Sequence, residues 1–273
     1  MEAILNYIPV RDKKPRNTGI TIITDTGLST SEIESLHSVS GSIIDFVKIG
    51  VAALLTDLPL KERFRLYKNV GAQLLLSGTL FEASYLRNNL DEYNAFIKDH
   101  EFDAVEISNS IINISTGEKC EIIQRLSSDF KVFSELGNKQ NRTRASSEVW
   151  KTNLKTDLEA GAWKIILEGG ENGRAYLYND LGEPSENRIN SIASRGDLKN
   201  IIWEAPMRFQ QEWFVNKFGL DVNLANIRPG DLSRLESLRI GLHSETFSAG
   251  IPASLLEGRI KTVDPLYNLD IQI

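Results

Sequence analysis

Four apolar segments of this chain each run into a glutamate, and their spacing leaves room for a helix between one segment and the next. The segments are 104–108, 131–136, 163–168 and 201–206, with the acids Glu106, Glu135, Glu168 and Glu204. Continuous apolar runs of this length are typical of parallel strands that are buried on both faces. The repeat therefore predicts a parallel sheet that brings several carboxyl groups to one edge.

Four further segments complete a series of eight strands, each followed by a segment with helical periodicity. They are 19–25, 43–50, 72–78 and 222–227. Alternation of strands and helices predicts an α/β fold with right-handed crossovers, and the count of eight favours a closed (β/α)8 TIM barrel. An open doubly wound sheet is the main rival, but no G-x-G-x-x-G motif follows the first strand.

The length of the chain fits one such barrel with short additions at both ends. It has 273 residues, near the roughly 250 typical of this fold. We expect a lead-in segment at 1–18, the barrel at 19–242 and a C-terminal extension at 243–273, which covers a barrel end or reaches a neighbouring subunit of a homo-oligomer. The long segment 174–188 carries glycine, proline and asparagine, which is typical of a mobile lid.

Composition narrows the classes of partner. A net charge of -6 without a long basic run argues against nucleic acid. No apolar run reaches the roughly 18 residues that a membrane span requires, and the first residues do not resemble a signal peptide, so we expect a cytoplasmic protein that acts on small molecules. The single cysteine, Cys120, excludes an intrachain disulfide and a cysteine metal cluster.

The carboxyl ends of barrel strands meet at one rim, so the acids at these positions are expected to share one cavity. Asp25, Lys48 and Asn223 are predicted to join the four glutamates there. Clustered carboxylates repel one another and require a cation, and an oxygen-only donor set favours Mg²⁺ over zinc. We therefore predict Mg²⁺ bound by some of Glu106, Glu135, Glu168 and Glu204. The alternative for each single glutamate is a solvated ion pair at the rim.

Seven motifs, taken in order, make the chain similar to the phosphosulfolactate synthase family. They are Asp45–Gly50, Gly78–Glu82, Val105–Ser108, Ser134–Gly137, Glu168–Gly169, Glu204–Pro206 and Val222–Ile227. The resemblance implies a (β/α)8 lyase that uses Mg²⁺ to add sulfite to phosphoenolpyruvate, which gives phosphosulfolactate on the way to coenzyme M.

The resemblance also implies roles for single residues. Lys139 stands where the family pattern has a lysine suited to act as general acid. Lys48 is the rival for this role, or else it neutralises the charge of the substrate. Glu106 is the third catalytic candidate. The expected substrate-binding residues are Asp25, Gly169, Arg208, Asn223 and Asn226.

Four positions depart from the family pattern, and each departure removes a charge. Thr26, Asn109, Asn138 and Gly170 stand where the family usually has lysine, aspartate, lysine and arginine. Two alternatives therefore stay open beside the sulfite chemistry. The barrel acts on another phosphorylated or enolisable carboxylic acid, or it is a binding barrel without catalysis.

Overall fold

Eight parallel strands close into a barrel in which each strand pairs with the next and β8 pairs with β1. The computed structural model describes residues 4–137, 147–194 and 197–259. The strands are β1 Thr21–Asp25, β2 Phe46–Ile49, β3 Gln73–Leu76, β4 Ala104–Ile107, β5 Lys131–Leu136, β6 Lys164–Leu167, β7 Ile201–Glu204 and β8 Asn223–Ile227. The predicted (β/α)8 fold is confirmed.

Helices follow the strands and form the outer layer. They are α1 Thr30–Ser40, α2 Val51–Leu54, α3 Leu60–Asn69, α4 Gly78–Leu86, α5 Leu90–Asp99, α6 Thr116–Ser127, α7 Ser147–Glu159, α8 Glu186–Ala193, α9 Arg208–Phe218, α10 Leu232–Arg239 and α11 Ala253–Leu256. Ser115 and Glu118 form a capping box, which satisfies backbone donors at the start of α6. None of the helices in the described ranges is long and apolar enough to cross a membrane.

The third unit contains two helices where the sequence pattern indicated one. The chain turns between α4 and α5 at Asn88, whose φ of 54° lies in the left-handed region. Asparagine adopts this conformation more readily than most residues. The break lets α4 bury Phe81 and Glu82 while α5 buries Tyr93 and Ile97 with a separate face.

The barrel interior explains how the glutamates reach one cavity. Nine buried side chains form an inner core that is separate from the larger core between strands and helices: Ile20, Ile22, Phe46, Leu75, Ala104, Phe133, Ile166, Ile202 and Ala225. Side chains two residues apart on a strand point to the same face. Each of Lys48, Glu106, Glu135, Glu168 and Glu204 follows an inner-core residue by two positions, so these five polar groups form the next layer toward the carboxyl ends.

Residues 174–185 of the predicted lid 174–188 are packed against the barrel, and the mobility of the segment stays a prediction. Leu177 and Tyr178 are buried, and Tyr178 pairs with Pro184 across a short antiparallel bridge. The amide of Gln210 on α9 donates to the carbonyl oxygens of Gly173 at 2.9 Å and Gly182 at 2.8 Å. These contacts fix both ends of the segment, and composition alone does not reveal them.

Candidate active site

The ammonium group of Lys48 lies at the centre of the polar layer. Its Nζ is 3.0 Å from Glu106 Oε2 and 3.0 Å from Glu204 Oε1, so it joins β2, β4 and β7 across the barrel. All three side chains are buried. Burial alone lowers the pKa of Lys48, but the charges of Glu106, Glu204 and Glu135 outweigh it and hold this pKa well above 10.5. Lys48 is therefore a permanent positive charge.

Glu135 and Glu168 line the same cavity as this ion-pair cluster. The cavity has a volume of about 220 Å³, and its wall also carries Thr24, Thr26, Ser77, Thr79, Glu171 and Asn226. Drug-sized ligands occupy pockets of roughly 300–1,000 Å³. A cavity of this size and polarity suits a small charged metabolite. The structure places Lys48 and the four glutamates in one cavity, as the sequence predicts.

Two glycines allow these glutamates to sit where they do. A Cβ atom at Gly137 would overlap Glu168 Cβ, and one at Gly169 would lie 2.6 Å from the carbonyl oxygen of Glu204. The N–H of Gly169 donates to Glu204 Oε2 at 2.9 Å, and the N–H of Gly170 donates to Glu168 Oε1 at 2.6 Å. The N–H of Gly169 thus orients a glutamate, and the binding of substrate by Gly169 stays a prediction.

Asp25 is at the rim as predicted, but its carboxylate makes internal contacts. It accepts from Arg63 Nη1 at 2.5 Å and from the backbone N–H groups of Gly27 and Leu28 at 2.7 and 2.9 Å. Its side chain is fully buried. Asp25 therefore holds the loop after β1, and it lines the cavity beside Thr26. Its direct binding of substrate stays a prediction.

Asn223 lies at the opposite end of the barrel, so its assignment to the substrate site is corrected. Its Oδ1 accepts from the N–H of Ile20 at 3.0 Å, and its Nδ2 donates to the carbonyl oxygens of Lys199 and Ile201. Asn223 opens β8, whereas the site lies at the carboxyl ends of the strands. Asn226, near the end of β8, does line the cavity and accepts from Thr24 Oγ1 at 2.9 Å.

Arg208 is also outside the cavity. Its Nε donates to Asp231 Oδ1 at 2.6 Å, and its side chain is 62% exposed. It begins α9 and pairs with the segment that follows β8, so its charge is directed along the surface. Lys139 lies outside the described residues, as do Asn138, Arg142 and Arg144.

The sequence argument missed a role for Glu82, which is buried on α4 next to the site. Its carboxylate accepts from the hydroxyl groups of Ser108 and Ser110 and from three backbone N–H groups, those of Ser110, Ile111 and Ile112, at 3.0, 2.9 and 3.2 Å. These contacts fix the loop that follows Glu106. The motif Gly78–Glu82 was noted in the sequence, but nothing there indicated which residues the acid would bind.

We predict that Glu82→Gln lowers the free energy of unfolding by about 1–3 kcal/mol, because an amide NH₂ would replace one acceptor oxygen and leave buried N–H groups without a partner. Urea denaturation measures this change, and hydrogen exchange of residues 108–112 should rise with it. Glu121→Gln on the exposed face of α6 is the matched control. Unchanged exchange at 108–112 would show that Glu82 does not fix this loop.

The fold and the cavity together define a (β/α)8 enzyme with an acidic site at the carboxyl ends of its strands, where enzymes of this fold carry their active sites. A sequence model of the (2R)-phospho-3-sulfolactate synthase (ComA) family matches residues 9–245. The chain belongs to this family, and it is an enzyme of the lyase type.

Curated relatives agree with the family model over most of their length. The phosphosulfolactate synthase of Methanothermobacter thermautotrophicus is 35% identical over 252 residues, which cover 90% of this chain and 98% of that protein. The Bacillus subtilis phosphosulfolactate synthase is 35% identical over 243 residues, with 88% and 96% covered. The alternative of a binding barrel without catalysis is thereby not supported.

Solved structures share the fold at low sequence identity. 3-hexulose-6-phosphate synthase from Salmonella typhimurium aligns with a TM-score of 0.54 at 11% identity, covering 82% of this chain and all of that one. The YdjI aldolase from Escherichia coli K12 aligns with a TM-score of 0.51 at 6% identity, covering 78% and 76%. At such identities the likeness concerns the barrel alone.

Proposed function

We propose that this enzyme catalyses the Mg²⁺-dependent addition of sulfite to phosphoenolpyruvate, which gives (2R)-phospho-3-sulfolactate. The observation that carries the proposal is the buried Lys48 ammonium, held between Glu106 and Glu204 in a cavity that Glu135 and Glu168 also line. Membership of the phosphosulfolactate synthase family supports this particular reaction for the cavity.

The charge of the cavity supports a requirement for a cation. One ammonium shares the wall of a single small cavity with five glutamate carboxyl groups. Two anionic substrates would be repelled by this excess, since charges a few ångströms apart interact strongly in a buried site. A divalent cation bound before or with phosphoenolpyruvate would reverse that repulsion.

The donor set fits Mg²⁺ by its chemistry. The cavity offers carboxylate and hydroxyl oxygens, which hard cations prefer. Within the described ranges no three acidic, histidine or cysteine side chains are already gathered around one point. Mg²⁺ in enzymes commonly keeps several waters and binds one or two carboxylates together with substrate oxygens. Glu135 and Glu168 are the residues that we propose to hold it.

The reaction forms one carbon–sulfur bond and one carbon–hydrogen bond. The sulfur lone pair of sulfite attacks the methylene carbon of phosphoenolpyruvate, and the π-electron pair moves onto the adjacent carbon and its carboxylate. A proton delivered to that adjacent carbon completes the addition. Bound magnesium would supply positive charge next to the substrate carboxylate as negative charge builds there.

The protein's own groups have separate tasks in this scheme. Lys48 stays protonated because its pKa is held above its ordinary value, so it supplies fixed positive charge and is a poor proton donor at neutral pH. We propose Lys139 as the general acid, on the strength of its place in the family pattern. The buried positions of Glu106 and Glu204 keep Lys48 aimed into the cavity.

We predict that replacing Glu135 and Glu168 together by glutamine weakens Mg²⁺ binding at least tenfold, because each change removes a negative oxygen donor. Isothermal titration calorimetry with MgCl₂ measures the affinity. Glu34→Gln, on the exposed face of α1, is the control for a general loss of negative charge. Equal Mg²⁺ affinity in the double variant and the parent enzyme would remove both residues from the metal site.

Phosphorus NMR tests the proposed reaction directly. Phosphoenolpyruvate should convert to a new phosphate ester only when sulfite and Mg²⁺ are both present. The second candidate is addition to, or proton transfer on, another phosphorylated or enolisable acid, which is favoured by Thr26 in the cavity wall, where the family usually has lysine. Loss of phosphoenolpyruvate without sulfite would support that candidate and contradict the first.

A further inference from the structure

A second cavity lies at the amino-terminal ends of the strands, opposite the proposed active site. Its volume is about 250 Å³, and its wall includes Lys14, Arg16, Asp45, Phe46, Gln73 and Lys131. These residues belong to the lead-in segment and to the beginnings of β2, β3 and β5. The inner core of the barrel, which includes Phe46 and Phe133, separates this cavity from the carboxyl ends of the strands.

This amino-terminal cavity is positively charged in a protein whose net charge is -6. Three cationic side chains face one carboxylate there. That carboxylate, Asp45, lines the cavity and accepts from Arg16 Nη1 at 3.1 Å and from the N–H of Thr21 at 2.9 Å. These donors offset its negative charge, and the three cations outnumber it.

One of the cations, Lys14, holds the cavity wall in place. Lys14 Nζ donates to the carbonyl oxygens of Gly41 and Gly71 at 2.8 Å and of Ile44 at 2.5 Å. Burial lowers the pKa of Lys14, which the charge of Asp45 offsets only in part. The lead-in segment is thus fastened beneath the barrel, and it carries positive charge into the cavity.

Of the three cations that line this cavity, Lys131 makes the fewest hydrogen bonds in the described part of the chain. It donates to Gln73 Oε1 at 2.9 Å, which leaves two of its three N–H donors for other acceptors. Its Nζ lies 4.7 Å from the centre of the Trp163 ring, and Lys164 Nζ lies 4.7 Å from the same ring. Two ammonium groups against one indole repel each other, and a nearby anion would relieve that repulsion.

We propose that this cavity binds a small, multiply charged oxyanion of the phosphate class, with Lys131 as its principal donor. Charge-assisted hydrogen bonds from ammonium and guanidinium groups are the strong contacts that such anions use. The site is distinct from the catalytic cavity, so it is suited to an anion that acts from a distance on the enzyme or on its stability.

Trp163 provides a built-in reporter for the test, with pyrophosphate as the probe. Pyrophosphate should change the tryptophan fluorescence of the parent enzyme saturably, and Trp163→Phe should lose this change. Lys131→Met should bind pyrophosphate at least about tenfold more weakly than the parent enzyme does. This corresponds to a loss of 1.4 kcal/mol or more in binding free energy. Lys98→Met, an exposed lysine paired with Asp129, is the matched control and should behave as the parent does.

Acetylation of the unaltered enzyme gives an answer that does not depend on a variant folding. Acetic anhydride should modify Lys131 more slowly when pyrophosphate is present, as measured by peptide mass spectrometry, while Lys98 reacts at the same rate. The proposal is overturned if Lys131→Met binds pyrophosphate as tightly as the parent enzyme. It is equally overturned if pyrophosphate leaves both the Trp163 signal and the acetylation of Lys131 unchanged.

Discussion

Lys48→Met is expected to lower both the stability and the turnover of this enzyme more than any other single change to the described cavity. The substitution leaves Glu106 and Glu204 buried without the ammonium that lies 3.0 Å from each. Removing one partner of a buried ion pair costs about 3–5 kcal/mol, which is a large part of the 5–15 kcal/mol that usually stabilises a folded protein. Turnover should fall by about a hundredfold to a thousandfold, as when one preorganised charged donor is lost.

The pH dependence of stability gives this prediction a sharper form. The folded pKa of Lys48 is raised above 10.5. The contribution of Lys48 to the free energy of unfolding is therefore fully present at pH values below its pKa in the unfolded chain. This contribution is lost only as the pH rises through its pKa in the folded protein. The difference in unfolding free energy between the parent enzyme and Lys48→Met should be constant near neutral pH and shrink in strong alkali.

Lys199→Met is the matched control, because Lys199 pairs with Asp197 on the surface and its side chain is 63% exposed. Exposed pairs contribute about 0–1 kcal/mol. Urea denaturation and turnover of the two variants should therefore differ widely. A Lys48→Met enzyme as stable and as active as Lys199→Met would show that Lys48 does not organise the cavity.

Lys139→Met is expected to abolish product formation while leaving the binding of phosphoenolpyruvate largely intact. A general acid acts in the transition state, so its loss lowers kcat rather than ground-state affinity. General acid catalysis contributes roughly a hundredfold to ten-thousandfold. Turnover with sulfite and calorimetry with phosphoenolpyruvate and Mg²⁺ give the two quantities separately.

Lys155→Met serves as the control for Lys139, because Lys155 lies on α7 with its side chain 74% exposed and pairs with Glu159. The rival donor is Lys48, but a lysine whose pKa is held well above 10.5 gives up its proton reluctantly at neutral pH. Normal turnover of Lys139→Met would show that Lys139 is not the general acid. The proton donor would then have to be sought among the groups of the cavity wall.

The barrel fold and the positions of the cavity glutamates could be predicted from the sequence, because side chains two residues apart on a strand share one face. An inner-core residue such as Ile202 or Phe133 is followed two positions later by Glu204 or Glu135, so the apolar runs already encode which acids enter the barrel. The same reasoning failed for Asn223, because the apolar run 222–227 does not mark where the strand starts. Asn223 opens β8 and therefore lies at the other end.

Other parts of the site depend on contacts between residues far apart in sequence. Arg63 reaches Asp25, Glu82 reaches Ser110, and Gln210 reaches Gly173 and Gly182. No local pattern specifies such pairs, because helix packing on the barrel decides which buried polar groups meet. Arg208 was assigned to the cavity for the same reason, because its pairing with Asp231 at the surface could not be seen in the sequence. The extent of the domains, the homo-oligomer and Mg²⁺ stay predictions.

Deuterium incorporation tests the central claim, the addition of sulfite to phosphoenolpyruvate in this cavity, most directly. The parent enzyme is incubated in D₂O with phosphoenolpyruvate, sulfite and Mg²⁺, and the product is analysed by proton NMR and mass spectrometry. The product should carry one deuterium on the carbon that bears the phosphate and two protons on the carbon that bears sulfur. A product with deuterium on the sulfur-bearing carbon, or no sulfite-dependent product, would contradict the claim.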